Sequence, residues 1–302
     1  MKIKANGKLL LTAEYMVLLG AKALALPTKV GQVFQVFPLR SAGISWKSYD
    51  EKGAVWINEQ LSYEEIYSFS EEVLENSPKT RLLQVLHEAH KLNSTILTQG
   101  KGYLVESTLE FPKKWGLGTS STLLYFIAKW FEIDAYQLLE KTFGGSGYDI
   151  ACAGVSHPIF YTKNTPPKIE KVEFKPHFQE NLYFLYLNQK KNSREAIESF
   201  KAKTSNVFSE TIEEFSQITE KIAKASTFEQ FCELINLHEN KLSQLLEIPT
   251  IKQELFSDFQ GSIKSLGGWG GDFVLVASKT CPKAYFSAKG YDTLLRFEEM
   301  FD

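Results

Sequence analysis

The stretch KKWGLGTSST, Lys113–Thr122, sets two glycines and four consecutive hydroxyl side chains directly before an apolar segment, LLYFIAKWF. Glycine lets backbone N–H groups approach a ligand closely, because no Cβ stands in the way. The start of a helix leaves its first N–H groups unpaired and carries partial positive charge, which together favour an anion. Hydroxyls at such a place can bind phosphate oxygens or a phosphate-bound Mg²⁺. The stretch therefore predicts a phosphate-binding loop before a helix; taken alone, it leaves open a simple Ser/Thr helix cap after a glycine turn.

The composition is that of an ordinary globular protein. The chain has 302 residues, 43% of them hydrophobic and 23% charged, and a formal net charge of −2. This length most simply divides into two domains, and the charge gives no reason to expect a nucleic-acid partner. The three cysteines show no metal-binding spacing, which favours a reducing compartment over a disulfide framework. The acidic Glu14 interrupts the apolar N-terminus, and no run approaches the ~20 apolar residues of a membrane span. We therefore predict a cytoplasmic protein without a membrane partner.

The order of predicted elements indicates an α+β fold. The first half is rich in short β-like runs, beginning with GKLLLTAEYMVLL at residues 7–19 and ending with GYLVESTLEF at 102–111. Three helices are predicted there: residues 78–93, a segment from about Ser121 to Phe131, and residues 134–143 with Asp134 as N-cap. A strand at 181–188, a mostly helical region from Ser193 to about Phe259 and a strand opened by glycines follow. Such runs of strands and then helices are unlike a regularly alternating parallel sheet.

Four segments in this order carry a resemblance to a known family. They are ANGKLLLTAEYMVLLGAKALALPT at 5–28, the loop at 116–121, GGSGYDIACAG at 144–154 and LGGWGGDFVLVA at 266–277. Together they resemble the GHMP kinase superfamily, whose middle motif is a proline, a short spacer and Gly-Leu-Gly-Ser-Ser-Ala. Here Pro112, three residues and then Gly116–Ser121 fit that motif, whereas the GxxxxGK[ST] spacing of a Walker loop is absent. The resemblance extends from Asn6 to Ala277.

The resemblance implies a two-domain α+β fold with an active site between the domains. A ribosomal protein S5 domain 2-like N-terminal domain would span residues 1–178, and a ferredoxin-like C-terminal domain would span 179–302. It also implies ATP and Mg²⁺. The triphosphate would lie on the loop formed by Gly116, Leu117, Gly118, Thr119, Ser120 and Ser121. Ser120 is the predicted Mg²⁺-facing hydroxyl, with Thr119 and Ser121 as alternatives, and Glu140 is a second metal ligand or a solvated helix carboxylate.

The catalytic pair implied by the resemblance is Asp149 and Lys8. A carboxylate near the acceptor can take its proton or orient it, and a nearby lysine can keep that carboxylate ionised. Without the resemblance, Asp149 reads as a turn residue after Gly147, and Lys8 reads as a lysine at the end of a strand.

The acceptor side is predicted from the remaining motifs. Its candidate residues are Glu14, Ser146, Gly147, Ser193, Arg194, Gly270 and Gly271. Glu14 either faces the acceptor or pairs with a lysine, and Ser193 either touches the acceptor or caps the next helix. Trp269 stands where relatives carry a small residue, so it either disturbs the Gly267–Gly271 loop or roofs the acceptor pocket.

The resemblance predicts transfer of the γ-phosphoryl group of ATP to a small anionic acceptor of the mevalonate pathway. The segment GSGYDIACA and Asp272 favour phosphomevalonate, and mevalonate is the alternative. A catalytically silent relative that binds a nucleotide or metabolite is the alternative from a different class. The chain is expected to act as a monomer or a homodimer.

Overall fold

The structure is a computed structural model, and it describes residues 1–70, 77–189, 200 and 208–301. The strands in this part of the chain are β1 Lys2–Leu10, β2 Ala23–Leu39, β3 Gly43–Tyr49, β4 Val55–Leu61, β5 Gly102–Leu109, β6 Ile159–Thr162, β7 Lys168–Lys171, β8 Leu182–Tyr186, β9 Ser262–Leu266, β10 Phe273–Ala277 and β11 Leu294–Arg296. The helices are α1 Tyr63–Tyr67, α2 Pro78–Leu92, α3 Thr119–Phe131, α4 Ala135–Lys141, α5 Tyr148–Ala153, α6 Ser209–Ala223, α7 Phe228–Leu246, α8 Ile251–Leu255, α9 Lys283–Ala288 and α10 Phe297–Met300.

Two compact units alternate along the chain. Unit 1 consists of Met1–Gly7, Val30–Lys113 and Leu117–Gly154, and unit 2 consists of Lys8–Lys29, Lys114–Gly116 and Val155–Asp302. Strands β1 and β2 and the predicted phosphate loop are therefore divided between the units by residue number. These units group residues that contact one another, whereas the boundary predicted at residue 178 separates two folding domains. That boundary stays a prediction.

Unit 1 is built on the pairing of β5 with two neighbours. Strand β5 pairs antiparallel with β2 from Gln32 opposite Leu109 to Leu39 opposite Gly102, and it pairs parallel with β3, which pairs antiparallel with β4. Alternate residues of β3 are buried, as expected for a strand with one face on a core. The core contains stacked rings of Phe34 and Phe126, whose centroids lie 4.3 Å apart.

Helix starts in unit 1 follow local capping rules. Ser77 accepts a hydrogen bond from Thr80 N–H at the start of α2, and Asp134 accepts from Tyr136 N–H and Gln137 N–H at the start of α4. Helix α3 packs against α2, α4 and α5. The three predicted helices are thus present, although α3 begins at Thr119, two residues earlier than predicted.

Unit 2 contains a four-stranded antiparallel sheet in the order β11-β8-β10-β9. Helices α7 and α8 pack on β9, and α6 packs on α7. A second core lies on this sheet and includes Leu185, Phe256, Val274 and Phe286. In the same unit, β6 pairs antiparallel with Ala23–Ala25 of β2 and with β7.

The prediction of one β-like run over residues 7–19 was wrong beyond Leu10. Strand β1 ends there, and a 3-10 turn at Met16–Leu19 follows a loop. Ala13 and Tyr15 in this loop have φ angles of 59° and 61°, a left-handed conformation that interrupts a strand. The apolar pattern continues through the loop because these residues are buried, so periodicity alone could not mark the break.

Later elements agree with the sequence where the structure describes them. Helices α6 and α7 and strands β8 and β10 correspond to predicted segments, whereas residues 193–207 of the predicted helical region lie outside the described residues apart from Phe200. The fold is α+β, as predicted, and its strands in the described part of the chain form two sheets. Among the described residues, no helix combines the length and apolar character needed to cross a membrane.

Candidate active site

The predicted phosphate loop leads into the N-terminus of α3. Gly118 is the N-cap, with φ 99°, a left-handed conformation that glycine adopts without steric cost. The first intrahelical bond runs from Thr122 N–H to the Gly118 carbonyl at 3.0 Å. The amides of Thr119, Ser120 and Ser121 precede that bond, so the helix itself supplies no partner for them. This end of a 13-residue helix therefore presents donors and partial positive charge to an anion.

The hydroxyls of this helix start divide into two groups. Ser121 Oγ donates to the Gly118 carbonyl at 2.8 Å, and Thr122 Oγ1 donates to Gln32 Oε1 at 2.7 Å, so both are engaged in the fold. Ser120 is exposed and Thr119 is half-buried. Of the alternatives for the metal-facing hydroxyl, Ser120 is thus the exposed one, and its Mg²⁺ role stays a prediction.

The first glycine of the loop meets two other predicted motifs within unit 2. Lys8 Nζ donates to the Gly116 carbonyl at 3.2 Å. Gly116 has φ 64°, and a Cβ at this position would stand 1.8 Å from Asp272 Oδ2. The structure therefore brings together Lys8, Gly116 and the aspartate that follows the Gly267–Gly271 loop.

Asp149 lies in the first turn of α5, whose N-cap is Gly147 at φ 88°. The residue is half-buried, as is Ser146 in the loop before it. Burial raises the pKa of Tyr136, and the negative charge of Asp149 raises it further, which puts this carboxylate beside α4. Helices α3 and α5 pack on each other. The helix that follows the predicted phosphate loop and the helix that contains Asp149 are therefore neighbours in unit 1.

No multi-ligand metal centre is present in the described part of the chain. It contains no group of three or more His, Cys, Asp or Glu side chains that could hold a metal ion. Glu140 is exposed on α4. Its role as a Mg²⁺ ligand stays a prediction, as does the alternative of a solvated helix carboxylate.

The Gly267–Gly271 loop is anchored by its own backbone and by Trp269. Gly271 N–H donates to the Gly268 carbonyl at 2.8 Å, and Gln189 Nε2 donates to the Gly270 carbonyl at 3.0 Å. The Trp269 side chain is 7% exposed, and its Nε1–H donates to the Pro249 carbonyl at 3.1 Å. The indole is therefore packed against Pro249 and helps to hold the loop in place, and its role as the roof of an acceptor pocket stays a prediction.

Glu14 lies at the centre of a buried polar cluster in unit 2. Its Oε1 contacts Lys264 Nζ, and its Oε2 lies 3.6 Å from His238 Nε2. Glu239 completes the cluster, accepting hydrogen bonds from Ser265 N–H at 3.1 Å and from Ser265 Oγ at 2.8 Å. Of the two alternatives for Glu14, the structure shows the pairing with a lysine.

Burial governs the electrostatics of this cluster, which we call the Glu14 cluster (Glu14, His238, Glu239 and Lys264). It raises the pKa of Glu14 to about 7 against the opposing effect of Lys264, and it raises the pKa of Glu239 above its ordinary value. The pKa of His238 is held well below its usual range by burial and by Lys264. Sequence reasoning did not identify His238, Glu239 or Lys264.

The remaining predicted acceptor residues, Ser193 and Arg194, lie outside the described residues. Contact of Ser193 with an acceptor and capping of a helix by Ser193 both stay predictions. Their substrate-binding roles stay predictions.

The fold of the whole chain is similar to the folds of several solved kinases. A crystal structure of mevalonate kinase matches 100% of this chain and 100% of its own, with a TM-score of 0.68 and 16% identity. Streptococcus pneumoniae phosphomevalonate kinase in complex with phosphomevalonate and AMPPNP matches 98% of this chain and 100% of its own, with a TM-score of 0.69 and 15% identity. Lactococcus lactis galactokinase complexed with galactose matches 98% and 92%, with a TM-score of 0.64 and 13% identity.

Sequence comparison adds nothing to these structural likenesses. No protein-family model matches the chain, and no curated protein matches it either. The chain has the fold of the GHMP kinases, so the resemblance read from its motifs is confirmed at the level of the fold. Because mevalonate, phosphomevalonate and galactose kinases all share that fold, the fold does not distinguish their acceptors.

Proposed function

We propose that this protein is an ATP-dependent small-molecule kinase. The observation that carries the proposal is the start of α3, where a left-handed Gly118 opens a helix whose first amides have no partner within the helix. Such an end binds polyphosphate through N–H donors and the helix dipole. The left-handed Gly116 and the exposed Ser120 belong to the same loop, and both fit a backbone that follows a phosphate chain closely.

The residues of the chain have distinct roles in the proposed reaction. The amides of Thr119–Ser121 bind the polyphosphate, and Ser120 and Glu140 would hold Mg²⁺, which offsets phosphate charge when bound. Asp149 orients the acceptor. A new bond forms from the acceptor oxygen to the γ-phosphorus as the bond to the bridging oxygen of ADP breaks, and a hydroxyl acceptor gives its proton to Asp149. Lys8 donates to the Gly116 carbonyl and so steadies the first glycine of the loop, and its effect in keeping Asp149 ionised stays a prediction.

Phosphomevalonate is the acceptor that we propose to test first. The segment GSGYDIACA and Asp272 resemble phosphomevalonate kinases, and one solved structure with the same fold holds phosphomevalonate and AMPPNP. Mevalonate is the second candidate, because a mevalonate kinase matches the chain over its full length at nearly the same TM-score.

The two acceptors make different demands on Asp149. The second pKa of a phosphate monoester is about 6, so phosphomevalonate is largely ionised at pH 8 and loses no proton on attack. The hydroxyl of mevalonate must lose one. Replacement of Asp149 by Asn should therefore reduce turnover of a hydroxyl acceptor more than that of a phosphate acceptor.

The experiment is a measurement of ADP release with mevalonate, phosphomevalonate, homoserine and galactose in parallel, each with ATP and Mg²⁺. Transfer to one acceptor would support the proposal, provided that Asp149→Asn, with unchanged circular dichroism, reduces that transfer strongly for a hydroxyl acceptor and less for phosphomevalonate. ATP binding with no transfer to any acceptor at saturating concentrations would instead favour a silent nucleotide-binding relative. Absence of both binding and transfer would contradict each of these functions.

A further inference from the structure

The loop that follows β1 is held at four successive residues. Each of these residues, Thr12 to Tyr15, makes a hydrogen bond or ion pair with a distant part of unit 2. The contacts are Thr219 Oγ1 to Thr12 Oγ1 at 2.9 Å, Ala13 N–H to His238 Nε2 at 2.8 Å, Glu14 with Lys264, and Trp269 N–H to Tyr15 Oη at 2.8 Å. The loop therefore depends on α6, α7, β9 and the Gly267–Gly271 loop for its position.

The backbone of this loop is strained. Ala13 and Tyr15 adopt left-handed φ angles, which are unfavourable for residues with a Cβ and persist only where the surroundings enforce them. Glu14 lies between these two residues. The contact of Glu14 with Lys264 therefore helps to hold the strained backbone in place, and the loop could relax if that contact were lost.

The Glu14 cluster is poorly suited to a purely stabilising role. Glu14, His238 and Lys264 are 0% exposed and Glu239 is 2% exposed. His238 accepts the Ala13 amide proton at Nε2, so its ring is neutral and one lysine faces two carboxyl groups. In the described part of the chain, Glu14 Oε2, Glu239 Oε2 and His238 Nδ1 have no hydrogen-bond partner. Buried ion pairs with such gaps are often no more stable than apolar replacements.

The position of Lys264 connects the cluster to two predicted site segments. Lys264 lies on β9, which ends at Leu266 immediately before the Gly267–Gly271 loop. Glu14 follows β1, which carries Lys8, and Tyr15 bonds the backbone of Trp269 within the glycine loop. A shift at the Glu14–Lys264 contact would therefore move both segments.

We propose that Glu14 and Lys264 are positioning residues, whose buried contact fixes the Thr12–Tyr15 loop and the Gly267–Gly271 loop for catalysis. The inference rests on the proposed kinase function for its catalytic consequence. Its structural part, the coupling of the two loops, does not depend on that function. It predicts a variant that is folded and stable but slow.

The test is the double variant Glu14→Gln/Lys264→Met, which removes both charges at similar size. The matched control is Glu229→Gln/Lys279→Met, the same exchange at an exposed pair on α7 and the loop after β10, whose Nζ and Oε1 lie 2.6 Å apart. Amide hydrogen exchange is measured on peptides that cover 11–16 and 264–272, with a β5 peptide as internal reference. We expect exchange at least about tenfold faster in both loop peptides of the double variant alone, and kcat lowered about ten- to hundredfold with an unchanged Tm.

Several results would overturn the inference. One is an exchange rate equal to that of the wild type in both loop peptides of the folded double variant. Another is faster exchange in these peptides together with an unchanged kcat. If the double variant does not fold, Glu14→Gln alone decides, since it removes the negative charge that Lys264 contacts at nearly the same size; unchanged exchange in that variant would count against the proposal. If the wild type transfers phosphate to no acceptor, the proposed function fails while the exchange measurement still tests the coupling.

Discussion

Gly116 lies directly against the carboxylate of Asp272, with the ideal Cβ position of Gly116 only 1.8 Å from Asp272 Oδ2. The first residue of the predicted phosphate loop and the residue that ends the last glycine motif are thus in contact within unit 2. Two independent constraints require glycine at this position, namely the left-handed φ of 64° and the lack of space for a Cβ.

Gly116→Ala separates those two constraints when it is compared with Gly144→Ala. Gly144 has φ 63°, nearly the same, but nothing lies within 4 Å of its ideal Cβ position. We expect Gly144→Ala to lower the free energy of unfolding by about 1–2 kcal/mol, the strain of a left-handed residue. Gly116→Ala should lower it by roughly 1–3 kcal/mol more, because Asp272 must move. Urea denaturation of both variants tests this difference, and equal losses would show that Asp272 yields freely.

Asp149→Asn should lower kcat about 10²–10⁴-fold for a hydroxyl acceptor, because it removes the group that takes the proton. The matched control is Asp134→Asn, in the same unit. Asn is as good an N-cap as Asp, so α4 keeps its bonds to Tyr136 N–H and Gln137 N–H. Steady-state kinetics of the two variants provides the measurement. Similar rates in both would remove Asp149 from the proposed chemistry.

Ser120→Ala should affect the Mg²⁺ dependence of turnover, whereas Ser121→Ala should affect stability. Loss of the exposed Ser120 hydroxyl should raise the Mg²⁺ concentration for half-maximal turnover by about tenfold or more, with the thermal midpoint unchanged. Loss of the Ser121 hydroxyl removes its bond to the Gly118 carbonyl and should cost about 1 kcal/mol of unfolding free energy. Mg²⁺ titrations of ADP release and thermal unfolding of each variant distinguish these outcomes. The reverse pattern would exchange the roles of the two serines.

The Glu14 cluster should give the protein a measurable pH dependence of stability. The pKa of Glu14 is raised to about 7 in the folded state from 4.5. Between these values the folded chain binds a proton that the unfolded chain has released, so stability present below pH 4.5 is lost as pH rises toward 7. Glu14→Gln lacks this titration. We expect the free energy of unfolding of the wild type to fall relative to that of Glu14→Gln over pH 5–7, by at most about 1.4 kcal/mol per pH unit. A parallel pair of pH profiles from urea denaturation would contradict this.

The sequence predicted those features that depend on neighbouring residues. Asp134 was identified as a cap because a capping bond spans two or three positions, and the glycines before α3 were recognised because their spacing to the helix is local. The α+β character followed from the order of strands and helices. The same local reasoning extended the first strand through Ala13 and Tyr15, because a buried loop has the same apolar pattern as a buried strand.

Features that depend on long-range contacts were not predicted. Lys264 and Glu14 are 250 positions apart, and Ala13 and His238 are 225 apart. The sequence shows Lys264 only as a lysine in a short segment between Gly261 and the Gly267–Gly271 loop. Most lysines in such a place would be exposed, so nothing local indicated that Lys264 is buried. Similarly, the conflict between Gly116 and any larger residue is set by Asp272, and no spacing rule connects these positions.

The hydrogen bond between Glu239 and strand β9 also affects how readily another chain can pair with this edge of the sheet. Strand β9 is the outermost strand of its sheet, and its Ser265 N–H is taken by the carboxylate of Glu239 on α7. An exposed edge strand has unpaired backbone groups to which another chain can add as an extra strand, and such pairing can start aggregation. At Ser265 an added chain would first have to displace the Glu239 carboxylate, so this side chain opposes strand addition at that position of the edge.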